Sequence, residues 1–341
     1  MSQLRLTRRT ALGGAAAFAV GAPTLAQTKP EVGTVVIAPQ FGLAYLPLHV
    51  MKNLNLVESH LAKGGLPNSK VEWVQTTGGA VANDALLSGN IHVVSGGMGP
   101  LLTIWDRTRA NLGVRGLGTF DATALYLNTN RAEVKTIADF NDKDRIAMPA
   151  VKVSIQAVTL HMAAEQAFGP GQHARLDHLT VSMSHPDATA ALLSGRSEVT
   201  GHFTSPPFQW QQLKDQRIKR VLSSFEVLGG PVTFNSAYTT SRFRDDNPRS
   251  YKSVFDALKE AHEFIQKNRA ESIRIYIEEE KSRLAPAFIA EMLDSPDLRH
   301  TIVPLNTIKY AHFMHKTGAL RTRAESWKDY YFADVHEFAG S

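Results

Sequence analysis

Ala-Leu-Leu-Ser-Gly occupies positions 85–89, runs into Asn-Ile-His-Val-Val (90–94), and then into Ser-Gly-Gly-Met-Gly-Pro (95–100). The same five residues return at 191–195, followed by Arg-Ser-Glu-Val-Thr (196–200) and Gly-His-Phe-Thr-Ser-Pro-Pro (201–207). Each copy reads as the end of a helix, a glycine in the left-handed region that stops it, a short strand, and a small-residue loop at the strand's carboxyl end. In an open α/β sheet that last position is where ligands bind. Two such units predict two α/β lobes facing one ligand.

The flanking sequence extends this pattern in both directions. Strand-like runs at 32–38, 71–75, 91–95 and 114–120 alternate with helical stretches at 45–53, 80–88 and 101–109. That order predicts a parallel sheet covered by helices. A second unit opens near Asp121, with strands expected at 124–127, 145–148, 179–181 and 198–203 and helices at 187–194 and after Ser154, a good N-cap. The run Pro-Val-Thr-Phe-Asn-Ser-Ala-Tyr-Thr (231–239) is again strand-like and is expected to return the chain to the first unit. Helical patterns then follow at 251–267, 271–281, 286–293 and 307–317, before an aromatic tail at 327–338 expected to pack on the first lobe. The expected division is a first lobe of 27–122 plus 236–341 and a second of 123–235, joined by two crossing strands.

The chain opens with Arg5, Arg8 and Arg9, a mildly apolar Gly/Ala-rich stretch at 11–20, and Pro-Thr-Leu-Ala (23–26), the pattern of an export signal cut after Ala26. Thr-Arg-Arg-Thr-Ala-Leu (7–12) resembles a twin-arginine signal. There is no cysteine. Disulfides, thiol nucleophiles, thiolate metal sites and a cysteine-borne lipid anchor are thereby excluded. The expectation is a protein free in the periplasm. The formal charge of +5 drops to about +2 without the three signal arginines, too balanced for a nucleic-acid partner.

With these elements in order, the sequence resembles the substrate-binding proteins of ABC importers in the nitrate/sulfonate/taurine (NitT/TauT, NMT1/THI5-like) family. The residues that carry the likeness are Phe-Gly-Leu-Ala-Tyr-Leu-Pro-Leu (41–48), the two Leu-x-Ser-Gly helix ends, Gly-Met-Gly-Pro (97–100), and Ile-Ala-Asp-Phe-Asn-Asp-Lys (137–143) leading to Arg-Ile-Ala-Met-Pro (145–149). His92 and Glu198 stand where the family often has Asp, and Asp142 where Gly is common. The resemblance implies a two-lobed α/β periplasmic binding protein fold of type II. It also implies a non-catalytic monomer that captures a small, anionic or organic solute by hinge closure, without a cofactor, and delivers it to an ABC permease in the inner membrane. Two other roles stay open, a THI5-like or other periplasmic enzyme and a ligand-sensing module for a membrane sensor. The pyrimidine-forming branch of the family depends on a Cys-rich motif that this chain lacks.

The loops suit an anion on their own chemistry. Helix N-termini offer unpaired N–H groups and partial positive charge, and glycine lets backbone approach a ligand closely. Candidate ligand residues are therefore Gly42, Ala44, Gly97 and Gly99 through backbone, and Ser154, Thr204 and Ser205 through hydroxyls. Gln40, Phe41, Tyr45, Met98 and Phe203 are the candidate wall. Phe41 and Tyr45 equally fit packing at a strand–helix junction, Met98 fits core filling, and Ser154 caps its helix with or without a ligand. Thr204-Ser205 before two prolines also reads as a turn. His312 and His315 share a helix face but lack a third metal ligand nearby in sequence, and Glu-Glu-Glu-Lys (278–281) reads as a solvated helix face. No dinucleotide-binding glycine spacing or nucleophile elbow is present.

Overall fold

A computed structural model describes residues 30–341. The export signal expected at 1–26 lies outside the described residues. The chain first alternates β1 (Thr34–Ala38), α1 (Leu46–Asn53), α2 (Leu56–Lys63), β2 (Lys70–Trp73), α3 (Gly79–Leu87), β3 (Val93–Gly97), α4 (Met98–Thr108) and β4 (Arg115–Thr119). It continues through β5 (Asp121–Thr123), β6 (Tyr126–Thr129), β7 (Ile146–Met148), α5 (Ile155–Phe168), β8 (Thr180–Ser182) and α6 (His185–Ser194). β9 (Gly201–Thr204), α7 (Phe208–Leu213), β10 (Lys219–Ser223) and α8 (Ser224–Leu228) come next. The last third holds β11 (Asn235–Thr239), α9 (Ser241–Asp246), α10 (Pro248–Lys267), α11 (Arg269–Glu279), α12 (Pro286–Asp294), β12 (Leu298–His300) and α13 (Thr307–Lys316).

These strands form two five-stranded sheets, ordered β2-β1-β3-β11-β4 and β10-β6-β9-β7-β8, and a small β12-β5 pair. β1 runs parallel to β2 and β3, while β11 returns antiparallel between β3 and β4. In the second sheet β7 is parallel to β8 and β9, and β6 is antiparallel to β9 and β10. β3 and β11 are buried at every position, as central strands covered on both faces must be. One hydrophobic core runs through the molecule, and a smaller cluster of Ala147, Ala188, Leu192, Val199 and Ile218 sits under α6. Among the described residues no helix is long and apolar enough to cross a membrane.

The two Ala-Leu-Leu-Ser-Gly copies have the same local structure. Gly89 and Gly195 lie in the left-handed region, at φ +78° and +63°. Ser88 and Ser194 each donate Oγ back to the carbonyl three residues earlier, Ala85 at 2.9 Å and Ala191 at 2.8 Å. Beyond the two glycines, the fold departs from the sequence reading in two places. The stretch 95–100 is no loop, because β3 passes straight into α4, with Gly97 as N-cap and Pro100 in the first turn where its missing N–H costs nothing. Met98 N–H is taken by Phe234 O at 3.0 Å. The second-copy strand starts at Gly201 rather than 198, since Ser197 Oγ turns back to Ala191 O and Thr200 Oγ1 donates to the buried Asp144 carboxylate at 2.9 Å.

The chain crosses between the sheets twice, after β4 and before β11, and the two crossings touch. Ala122 pairs with Thr233 in an isolated antiparallel bridge, and Phe234 N–H donates to Asp121 Oδ1 at 3.3 Å. The aromatic tail packs on the first sheet and its cover. Trp105 in α4 donates Nε1 to Asp329 O at 3.0 Å, and Tyr331 bridges to Gly116 in β4.

Candidate functional site

The carboxyl ends of β1 and β3 face those of β7 and β8, and a narrow pocket lies between them. Gln40, Phe41, Tyr45, Thr77, Gly79, Gly97 and Pro100 line it from the first sheet's side. Pro149, Ser154, Ile155, Gln156 and His185 line it from the second, and Phe234 stands at the crossing. No Asp, Glu, Lys or Arg is among these lining residues. An anion here would be met by dipoles and neutral donors, not by a paired cation.

Gln40, Tyr45, Ser154 and His185 are held in place. Gln40 donates Nε2 to Ser95 O at 2.6 Å, and Ser95 Oγ donates to Ala38 O at 2.7 Å, which pins the side chain across the ends of β1 and β3. Tyr45 donates its hydroxyl to Asn235 Oδ1 at 3.0 Å and sets its ring edge-on to Phe120. Burial, with Asp121 nearby, pushes the Tyr45 phenol well above its ordinary value, so it stays protonated. Ser154 accepts from Ala157 N–H at 3.2 Å, capping α5, and its own proton is free to be given elsewhere. His185 opens α6 after the N-cap Ser184 and stacks on Phe208. Burial pushes its imidazole down to about 3.

Of the residues expected from sequence, Gln40, Phe41, Tyr45, Gly97 and Ser154 come together in this pocket. The others lie elsewhere around it. Gly42, at φ +114°, already gives its N–H to Glu280 Oε1 at 2.9 Å. A Cβ at Gly42 would stand 2.6 Å from Pro206 O, and Leu43 N–H donates to that same oxygen at 3.1 Å. Gly42 thus joins the loop after β9 to the turn after β1. Gly99 is a second close approach between the halves, with an added Cβ 2.6 Å from Val153 O. Ala44 is buried in the short turn before α1. Met98 turns its sulfur toward the Tyr331 and Ser236 hydroxyls, and Phe203 is wholly buried in the core. Thr204 Oγ1 lies 3.3 Å from His185 Nδ1, while the Ser205 hydroxyl is buried without a partner.

One reading of charged residues changes. Glu279 and Glu280 are not on a solvated face, because α11 packs against α1. Glu280 Oε1 also meets His49 Nε2 at 3.0 Å, and Glu279 pairs with Lys52 at 2.7 Å. Only Glu278 of the three stays in solvent, beside Arg274. His312 is engaged with the Ala324 carbonyl at 3.0 Å. Gln156 and His185 were not anticipated. The signal was present: they open the helices after β7 and β8, and the strand-end rule used for β3 and β9 applies to those strands equally.

No protein-family profile matches the chain, and no curated protein matches it by sequence. Solved structures do match. The alkanesulfonate-binding protein SsuA of Xanthomonas axonopodis pv. citri, bound to MOPS, aligns over 87% of this chain and 97% of its own, with 20% identity and a TM-score of 0.68. A Candida albicans protein described as having the generic periplasmic binding protein fold covers 86% of this chain and 92% of its own, with 14% identity and a TM-score of 0.65. This chain has the periplasmic binding protein fold. The periplasmic nitrate-binding protein NrtA of Synechocystis PCC 6803 shares that fold with it over 87% of this chain and 85% of its own, at 14% identity and a TM-score of 0.64. In this fold the pocket between the two sheets lies where strand ends from both halves converge.

Proposed function

We propose that the chain is the solute-binding component of an ABC importer, exported to the periplasm and cut after Ala26. In this reading the lobes 27–122 plus 236–341 and 123–235 close over one small anionic or organic solute, with the two crossings around Ala122 and Thr233 as the hinge. The closed monomer then delivers the solute to a permease in the inner membrane. The observation that carries this is the pocket itself, lined from both sheets by backbone ends, neutral donors and aromatic rings. The solutes named for its structural neighbours, an alkanesulfonate site holding MOPS and a nitrate site, belong to the same chemical class of oxyanions.

A non-catalytic role fits the same wall. Its titratable side chains are Tyr45 and His185, and burial keeps the first protonated and the second neutral. Neither is poised to exchange a proton near neutral pH.

Isothermal titration against methanesulfonate, taurine, MOPS, nitrate and benzoate tests the reading. One-site binding, a smaller radius of gyration with the bound probe, and recovery of that probe unchanged are expected. Turnover of a bound probe, or no binding across the panel, would overturn it.

A further inference from the structure

Behind the pocket wall of the second sheet lies a buried array of amides and imidazoles that starts at a backbone carbonyl. Asn128 in β6 donates Nδ2 to Gln209 O at 3.0 Å. A carbonyl only accepts, so this contact decides which end of the Asn128 amide is nitrogen. The same Nδ2 donates to Gln212 Oε1 at 3.0 Å, which decides the Gln212 amide in turn. Gln212 Nε2 then points at Thr189 Oγ1, 2.9 Å away, and at His202 Nδ1, 2.7 Å away. A ring nitrogen that receives a donor carries no proton, so the neutral His202 holds its proton on Nε2. That nitrogen is 3.0 Å from His185 Nδ1, which must accept, and the His185 proton is left on Nε2. Thr204 Oγ1 lies 3.3 Å from the same Nδ1 and points its own proton at Ser205 O, 3.5 Å away.

His185 Nε2 lies 3.3 Å from Gln156 Nε2, and both residues line the pocket. Two donors head to head repel, so the Gln156 oxygen belongs on the His185 side and its NH₂ becomes the terminal donor of the array. Asn128, Gln212 and His202 are fully buried, which removes water as an alternative partner that could reverse the order. Burial also holds both rings uncharged, with His202 lowered further by its neighbour His185.

We propose that this array fixes the hydrogen-bond polarity of the pocket, with the His185 N–H given to Gln156 and the Gln156 NH₂ presented to the ligand, so that the site selects ligands with an oxygen acceptor and rejects ligands with a donor there. His202 and Gln212 act as positioning residues, and the selectivity rests on the pocket being the ligand site proposed above.

The polarity can be read without any ligand, from the ¹⁵N resonances of the imidazoles at neutral pH, assigned with His185→Gln and His202→Gln. Both rings are expected as neutral Nε2–H tautomers. A proton on Nδ1 of either ring, or a charged ring, would overturn the proposal. Gln212→Met supplies a thioether that can only accept, and is expected to move the His202 proton to Nδ1. Its affinity for methanesulfonate or benzoate should fall at least tenfold while its far-UV circular dichroism is unchanged. Unchanged tautomers or unchanged affinity in that variant would overturn the proposal. Matched pairs supply the selectivity test: methanesulfonate against methylammonium, and benzoate against benzylamine. Equal binding within a pair contradicts the inference. Correct tautomers with no acceptor probe bound would instead overturn the choice of this pocket as the ligand site, and the selectivity claim with it.

Discussion

Gly99 shows how one hydrogen atom can be worth more than a side chain. It sits in the first turn of α4, where alanine would favour the helix by up to ~1 kcal/mol. Yet a Cβ there would stand 2.6 Å from Val153 O, a backbone atom of the opposite half. Overpacking of this kind costs about 1–3 kcal/mol, and under the proposed hinge motion it does so only in the closed form. Gly99→Ala should therefore leave the urea midpoint near that of the parent and weaken any confirmed solute by roughly tenfold to a hundredfold. Equal affinity by titration calorimetry would contradict that view of the contact. Glu280 makes the opposite case, a side chain whose loss exposes others. Its carboxylate accepts from Gly42 N–H and contacts His49 Nε2. Glu280→Ala should cost about 1–3 kcal/mol in denaturant unfolding, because both groups would be left in a half-buried place without an acceptor. A change within a few tenths of a kcal/mol would show that water replaces it.

At the level of elements, the repeated helix stops are the clearest test of local equivalence. Nothing lies within 4 Å of a Cβ built on Gly89, and only the end of the Arg217 side chain, at 3.6 Å, approaches one on Gly195. Alanine at either site therefore meets backbone strain and no clash, at about 1 kcal/mol each. Gly89→Ala and Gly195→Ala should shift the unfolding midpoint by the same small amount and leave solute affinity alone. Unequal penalties would mean that the copies differ in more than sequence context. The same elements show what was readable from sequence. Helix ends at glycine, the Ser154 cap and the return strand through Ala237 arise from nearest-neighbour chemistry, and they stand where local patterns put them. The start of α4 and the partners of Glu279 and Glu280 did not arise from such patterns. Each depends on a segment far away in sequence, Phe234 for Met98 and α1 for the two glutamates. His185 was hidden for a similar reason. Next to Ser184, Pro186 and Asp187 it looks like part of a helix cap, and its neighbours in space are Gln156 and His202.

For the molecule as a whole, buried ionisable groups set a pH window. Asp121 is fully buried at the crossing between the sheets, and burial pushes its carboxyl from 3.8 up to about 8. A raised carboxyl means the folded state holds a proton that the unfolded chain has released. Its contribution is complete below about pH 4 and is lost as pH rises through 8. His185 and His262 are pushed from 6.5 down to about 3, and His202 is lowered too. Their contribution is complete above 6.5 and is lost as pH falls toward 3. Stability should then climb from acid to a maximum near pH 6.5 and decline gently toward 8. Asp121→Asn should flatten the alkaline decline and steepen the climb between about pH 4 and 6.5, as followed by urea midpoints across the range. A decline that persists in the variant would assign it to another group.

The place of β11 also governs the order in which this molecule can be made. Strands β1 to β4 are complete by residue 119, yet β3 and β4 are joined only through Asn235–Thr239, which pairs with both. Until it does, β3 and β4 each leave an edge of backbone N–H and C=O groups unpaired, the kind of template that recruits other chains. The second sheet, drawn wholly from 126–223, needs no such late arrival. During synthesis the half begun first is therefore the half finished last. A nascent chain shorter than about 240 residues therefore carries an open seam at which aggregation can start.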